Sequence, residues 1–272
     1  MSPKPFHSTS PVACTSAGEQ LRRLRRQAGL SQLELALLAG VSQRHLSCVE
    51  TARAKASPST LHALLSALDV PLEHCNDVFL AAGFAPRYVA SAPDAPVMKM
   101  VHDAVDHILQ ANNPAPAIVI TSNWDIVAAN ASTGLLLAML GIEADTQSGL
   151  NLLDTLLRPG GLGDHLLNAN EIRAIAWQRA AREAVSNPEL ARLLREMPGF
   201  QPLPLNTTPP PVVLTRVRHE HGELKFLSTF TTFGMPLDIT VESLRIEHLI
   251  PADRETWEIM SAAFNEWAAK TK

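Results

Sequence analysis

The sequence predicts two domains in series: five short helices, then an α+β domain with a five-stranded antiparallel sheet and helices. Three observations predict this. Apolar residues recur at helical spacing, punctuated by capping residues, from 18 to 86. Alternating apolar runs with central turn signals appear only later, in AIVITSNWDIVAAN and VVLTRVRHEHGELKFLSTFTTF. The charge is also divided. Residues 17–68 carry seven Arg/Lys against three Asp/Glu, leaving 16 against 24 for the rest of the chain. A basic head on an acidic body suits a nucleic-acid-binding module joined to a domain with another task.

Within the head, EQLRRLRRQAGL sets Leu21, Leu24 and Ala28 on one helical face, with Arg22, Arg23 and Arg26 mostly off it. Ser31 caps a second helix whose Leu35, Leu38 and Ala39 face inward, and Gly40 ends it. Ser42 caps a third helix with Leu46 and Val49 inward. ARAKASP is a loop, STLHALLSALDV a fourth helix, and residues 72–83 a fifth. YVASAPDAP lacks periodicity and reads as the linker. The predicted division is a disordered tail over 1–17, the helical domain over 18–86, a linker over 87–96 and the second domain over 97–272.

The body begins with a helix over 97–112, followed by a hairpin around Ser122-Asn123-Trp124. Helices are expected over 131–140, 151–157 and 171–185, and another from Asn187 with Pro188 in its first turn. After a proline-rich connection over 202–211 comes a second hairpin turning near His221-Gly222. LDITVESLRIEHLI supplies the fifth strand, its change of phase near Ser243 suggesting a bulge. Residues 255–268 close the chain as a helix. This order favours an antiparallel sheet with helices on one face.

Composition excludes several classes. With 46% hydrophobic and 18% charged residues the chain supports packed cores, not disorder. Three cysteines (Cys14, Cys48, Cys75) without a C-x-x-C pair fit neither a disulfide framework nor a zinc ribbon, and suit a reducing cytoplasm. The first 18 residues lack the apolar core of a signal peptide. The longest charge-free apolar stretch, Ile126–Ile142, has 17 residues and falls short of a membrane span. No nucleotide-binding or hydrolase signature occurs, so no catalytic residue and no cofactor are assigned and a non-enzyme is expected. His102 and Asp106 in HDAVDH have a spacing that metals accept, but no third ligand is near. A solvated helix face is the better reading, so no metal site is assigned. His219-Glu220-His221 lies at a turn, where polar residues belong.

GVSQRHLSCVE has the chemistry of a DNA-reading helix. Two short helices joined by a Gly-containing turn let the second enter a major groove about 12 Å wide. Gln43 and Arg44 stand at its start, where Gln pairs with adenine and Arg with guanine through two hydrogen bonds each. Ser47 is one turn further on the same side. Ser42, the cap, and His45, a phosphate neighbour or a solvent residue, complete the exposed end. Gln32 and Arg53 are placed to hold phosphates. A helical protein-interaction module is the alternative use of such a block.

From LRRLRRQAGLSQLELALLAGVSQRHLSCVE and SPSTLHALLSALDV, residues 18–70 resemble the Xre or lambda-repressor-like helix-turn-helix family. That resemblance implies a buried ion pair, here Arg25 with Glu50. The family's glycine after that glutamate is absent, TARAK standing in its place. The resemblance continues: LAAGFAPRY, AIVITSNWDIVAAN, NLLDTLLRPGGL and FLSTFTTFGMPLDITVESLRIEHLIPAD are similar to the MmyB-like transcriptional regulators, over residues 18 to about 255. It implies a PAS-like second domain that binds small apolar ligands, fatty acids among them. This chain departs from the pattern at Arg158, where a histidine usually precedes the proline, and further on at the usual Asn-Trp, where Asn168 is followed by Ala169.

The residues alone point to a ligand more weakly. LNLLDTLL is apolar on more than one helical face, so Leu152, Leu153 and Leu156 either pack as plain core or line a cavity. Met139, Trp177, Phe226 and Phe230 are candidates for the same space, and Arg158 for meeting an acidic head group or simply for solvent. The expectation is a DNA-binding transcription regulator that reads a double-stranded operator, senses a small apolar ligand such as a fatty acid, and works as a homodimer away from membranes. Two such motifs bind half-sites about one helical turn, or ~34 Å, apart. A constitutive DNA-binding protein with a purely dimerising body, and an enzyme with an accessory helix-turn-helix, are the rival readings.

Overall fold

The computed structural model describes residues 16–142, 149–197, 211–220 and 222–271. The tail before Ser16 (with Cys14), residues 202–210 of the proline-rich connection, and His221 of the second hairpin turn lie outside the described residues. The chain divides into two compact units. One holds the residues up to Ser91 together with Pro236–Glu242; the other holds Ala92–Met235 and Ser243–Lys272.

The first unit contains α1 (Ala17–Gln27), α2 (Gln32–Leu38), α3 (Gln43–Glu50), α4 (Pro58–Ala67) and α5 (Leu72–Ala81). Helix α1 starts a residue before the expected Gly18, because Ser16 and Glu19 form a reciprocal capping box. Ser31 and Glu34 do the same for α2, and Ser42 and Ser57 cap α3 and α4 through backbone amides three residues on. Leu21, Leu35, Leu46, Leu61 and Leu64 are wholly buried and form the core's centre. Gly18 lets α1 rest on the end of α3, since a Cβ there would lie 2.3 Å from the Val49 carbonyl oxygen. Tyr88, assigned to the linker by sequence, packs into this core, and Asn76 holds its backbone on both sides.

The second unit opens with a 3-10 turn (Pro96–Met98) and α6 (Lys99–Asn112), then β1 (Ala117–Ile120) and β2 (Ile126–Ala129). Next come α7 (Ala131–Met139), α8 (Leu152–Leu157), a second 3-10 turn (Leu162–His165), α9 (Ala169–Glu183) and α10 (Pro188–Glu196). The chain ends with β3 (Leu214–His219), β4 (Gly222–Thr232), α11 (Ile239–Ser243), β5 (Arg245–Pro251) and α12 (Arg254–Lys270). The five strands form one antiparallel sheet in the order β2-β1-β5-β4-β3. The last strand to be made thus inserts beside the first.

Two expectations are corrected. The helices do not cover one face only. Strand alternation sends Ala117, Val119 and Ile246 to a small cluster with Val105 and Leu109 of α6. Ile118, Ile120, Leu224 and Phe226 go to the opposite, larger cluster with α8, α9 and α10. The phase change near Ser243 is also no bulge but the short helix α11. Asp238 starts that helix by accepting the Thr240 amide at 2.8 Å. Ile239 packs in the first unit's core, and Val89 bridges to Asp238. The sheet's irregularity lies instead between Val119 and Ile120.

Candidate DNA interface and ligand cavity

In the first unit, Ala39 and Gly40, at φ 66°, turn the chain from α2 into α3. A left-handed backbone there favours glycine. Leu46, Val49 and Glu50 anchor α3 inward, leaving Gln43 and Arg44 exposed at its start and Ser47 half-buried one turn on. Ser42 is exposed, but its hydroxyl accepts the His45 amide at 3.1 Å, so its first role is the cap. His45 is half-buried and Arg53 exposed.

The Arg25–Glu50 pair is present and is the most connected polar feature of this unit. Arg25 Nε donates to Glu50 Oε1 at 2.6 Å and Nη2 to Oε2 at 2.8 Å, while Nη1 donates to the Leu30 carbonyl at 2.8 Å. Burial alone would raise the Glu50 carboxyl, but hydrogen bonds from Arg25 and Gln32 and the nearby positive charge hold it below the usual carboxylate range. Gln32, expected only at a phosphate, gives one amide hydrogen to Glu50 Oε2 at 2.8 Å. That bond uses only one of its two amide hydrogens. In the loop that lacks the family's glycine, Ala52 takes a left-handed backbone at φ 56°, a form that favours glycine. Cys75 donates to the Val70 carbonyl, and burial, with Glu242 nearby, pushes its thiol up to about 11, so it packs as a small apolar group.

In the second unit a cavity of about 300 Å³ lies between the sheet and α7 and α8. The β1–β2 hairpin fixes its roof. Leu152 donates its amide to the Trp124 carbonyl at 2.8 Å, and the Asn151 side chain bonds the Asn123 carbonyl and Asp125. Leu152 and Leu156 then face the cavity, with Leu136 and Leu137 from α7, Ile118 from β1, and Glu247 and Leu249 from β5. The walls are otherwise apolar but for Thr133, Thr155 and Thr215.

Of the residues proposed from sequence for this space, Leu152 and Leu156 line it. Leu153 and Phe226 are wholly buried core, because the helix and strand turn them into the packed cluster beside it. Met139 and Trp177 pack at that cluster's edge. Arg158 lies outside, half its side chain exposed, and pairs with Asp154 one turn back. Phe230 is 42% exposed, its ring 3.8 Å beneath the Arg179 guanidinium. Arg179 and Arg245 both bind Glu183, which also accepts Trp124 Nε1 at 2.9 Å.

The residue that sequence reasoning missed is Glu247. Alternation along LRIEHLI places it on the face of Leu249, but a charged residue there reads as solvent-facing until the sheet's partners are known. Burial raises its carboxyl above the ordinary range, against a hydrogen bond from Ser228 and the charges of Arg179 and Arg245. His102 and Asp106 are exposed on α6, and among the described residues no three His, Cys, Asp or Glu side chains gather as a metal would need.

A helix-turn-helix with a free reading end, followed by an α+β unit enclosing an apolar cavity, defines a DNA-binding regulator with a ligand-binding domain. The helix-turn-helix domain family matches residues 16–76, and the MmyB-like transcription regulator ligand binding domain matches residues 101–263. The chain belongs to the MmyB-like transcription regulators. The solved restriction-modification controller protein C.AhdI from Aeromonas hydrophila is 32% identical over 24% of this chain and 96% of that one, with a TM-score of 0.22. An RNA-binding Light-Oxygen-Voltage receptor is 13% identical over 95% of this chain and 65% of that one, with a TM-score of 0.27, too slight a likeness to bear on function. No curated protein matches. No helix among the described residues is long and apolar enough to cross a membrane.

Proposed function

We propose that this regulator is a homodimer that binds a small apolar molecule in the second unit and thereby changes its affinity for a double-stranded operator. The observation that carries this is the cavity, walled by leucines and isoleucines from sheet and helices, which a purely dimerising domain has no need to keep open. Gln43 and Arg44 read base edges, Ser47 and His45 lie beside them, and Gln32 and Arg53 hold phosphates on either side.

A ligand changes DNA affinity only by binding the two arrangements of the protein unequally. Chain connectivity supports such a link. Strand β5, which lines the cavity, runs on directly from residues 236–242, which belong to the DNA-binding unit. Within that unit Glu242 accepts the Leu72 amide at 2.8 Å and so caps α5, where Pro71 offers no side-chain cap. Dimerisation is supported by Trp257 and Trp267, 48% and 39% exposed on α12, since oligomer interfaces are enriched in such aromatics. The apolar-chain part of a fatty acid suits the cavity, whereas the cation proposed for its carboxylate, Arg158, is elsewhere. The protein acts where the DNA is, in the cytoplasm.

The test is operator selection with the full-length protein, then DNA titration of Leu156→Trp, which fills the cavity. The variant should stay folded and bind operator with an affinity that no longer responds to apolar extract. A wild-type protein that yields no bound molecule by native mass spectrometry and whose DNA affinity is indifferent to such extract overturns the proposal.

A further inference from the structure

Among the described residues the cavity has one ionisable side chain in its wall, and its position bears on what the ligand carries at its polar end. This inference rests on the ligand-binding reading above and deepens it. Glu247 stands near the middle of β5, between Ile118 on β1 and Phe230 on β4 in register. Oε1 accepts the Ser228 hydroxyl at 2.5 Å, and among the described residues the other oxygen has no hydrogen-bond partner. No Lys, Arg or His is among the described residues that line the cavity, and Arg179 and Arg245, whose charges act on Glu247, lie outside its wall and bond Glu183. Two other polar groups of the wall are spent: Thr133 and Thr155 give their hydroxyl protons to the Ala117 and Leu152 carbonyls. An anionic head would therefore enter an apolar space whose wall offers it no cation, which is strongly unfavourable.

A cavity of about 300 Å³ suits a small, largely apolar molecule. We propose that Glu247 selects the head group in this cavity, and that the ligand is an uncharged, largely apolar molecule whose polar oxygen meets the free Glu247 oxygen. Burial works against the charged form of that carboxyl, and its neutral form can donate to an alcohol, ketone or ester oxygen while giving an ammonium head no counter-charge.

The test uses full-length protein and three probes of equal chain length at neutral pH: 1-nonanol, nonanoate and nonylammonium, each followed by calorimetry. Nonanol should bind about tenfold or more tighter than either ion. Glu247→Leu should lose about tenfold in nonanol affinity, the worth of one buried hydrogen bond, while Glu247→Gln, which keeps a donor of the same size, retains it. Trp fluorescence unfolding of both variants checks that the second unit is intact, and Glu247→Gln carries the test if Glu247→Leu does not fold. Nonanoate or nonylammonium binding best, or equal binding of all three heads, overturns the proposal and leaves the cavity a ligand site. Binding of none of the three overturns the ligand-binding reading itself.

Discussion

Removing the Glu50 carboxylate should unfold the DNA-binding unit well below the temperature at which the rest of the chain melts. Glu50 has no side-chain exposure and Arg25 only 9%. In Glu50→Ala three hydrogen bonds disappear, two from Arg25 and one from Gln32, and Arg25 keeps only the Leu30 carbonyl. A charge left buried without its partner costs about 3–5 kcal/mol. For a domain of this size that is a fall in midpoint of more than about 12 °C. The assay can separate the units because all four tryptophans (Trp124, Trp177, Trp257 and Trp267) lie in the second. Far-UV circular dichroism should show an early transition that Trp fluorescence does not. Arg25→Met with Glu50→Leu, which removes both charges, should recover most of the loss. The sign of the pH dependence follows from the lowered Glu50 carboxyl. Its contribution is present above the unfolded carboxylate value and is lost as pH falls through the folded one. Acid should therefore melt the first unit, and Glu50→Gln should flatten that dependence. A midpoint within about 3 °C of wild type for Glu50→Ala, or a double variant as unstable as the single one, would refute the reasoning.

Gly18→Ala should cost about 1–3 kcal/mol in the same melt, since its Cβ meets backbone at Val49 and not a movable side chain. Arg44→Ala should lose about 1–3 kcal/mol of discrimination between matched and scrambled operators. Gln32→Ala should weaken all DNA sequences about equally and also lower first-unit stability by about 1 kcal/mol through Glu50; binding titrations and melts read both. Phe226→Ala, emptying a fully buried site, should lower the second unit's stability by about 3–5 kcal/mol in Trp-fluorescence unfolding, with operator affinity tested at a temperature where that unit is folded.

The sequence by itself determined what is local. Ser31 and Ser42 cap the helices they were expected to cap, because an N-cap needs only the amides two or three residues on. The alternating runs became β1 to β4, and the reading end of α3 kept Gln43 and Arg44 exposed, since helical periodicity already assigns the inward face to Leu46 and Val49. Tertiary structure decided what depends on residues far apart in the chain. Gln32 turned to Glu50, 18 residues away, because a buried carboxylate needs every donor within reach. Residues 236–242 left the sheet's unit for the other, where Ile239 found a core and Glu242 an uncapped helix. The cavity was the least legible feature. Leu152 and Leu153 are chemically alike neighbours on one short helix, and only the packing around α8 gives one to the wall and the other to the core. Glu247 reads as a surface residue from its own strand, but β1 and β4 flank it on both sides, and burial raises its carboxyl above the ordinary range.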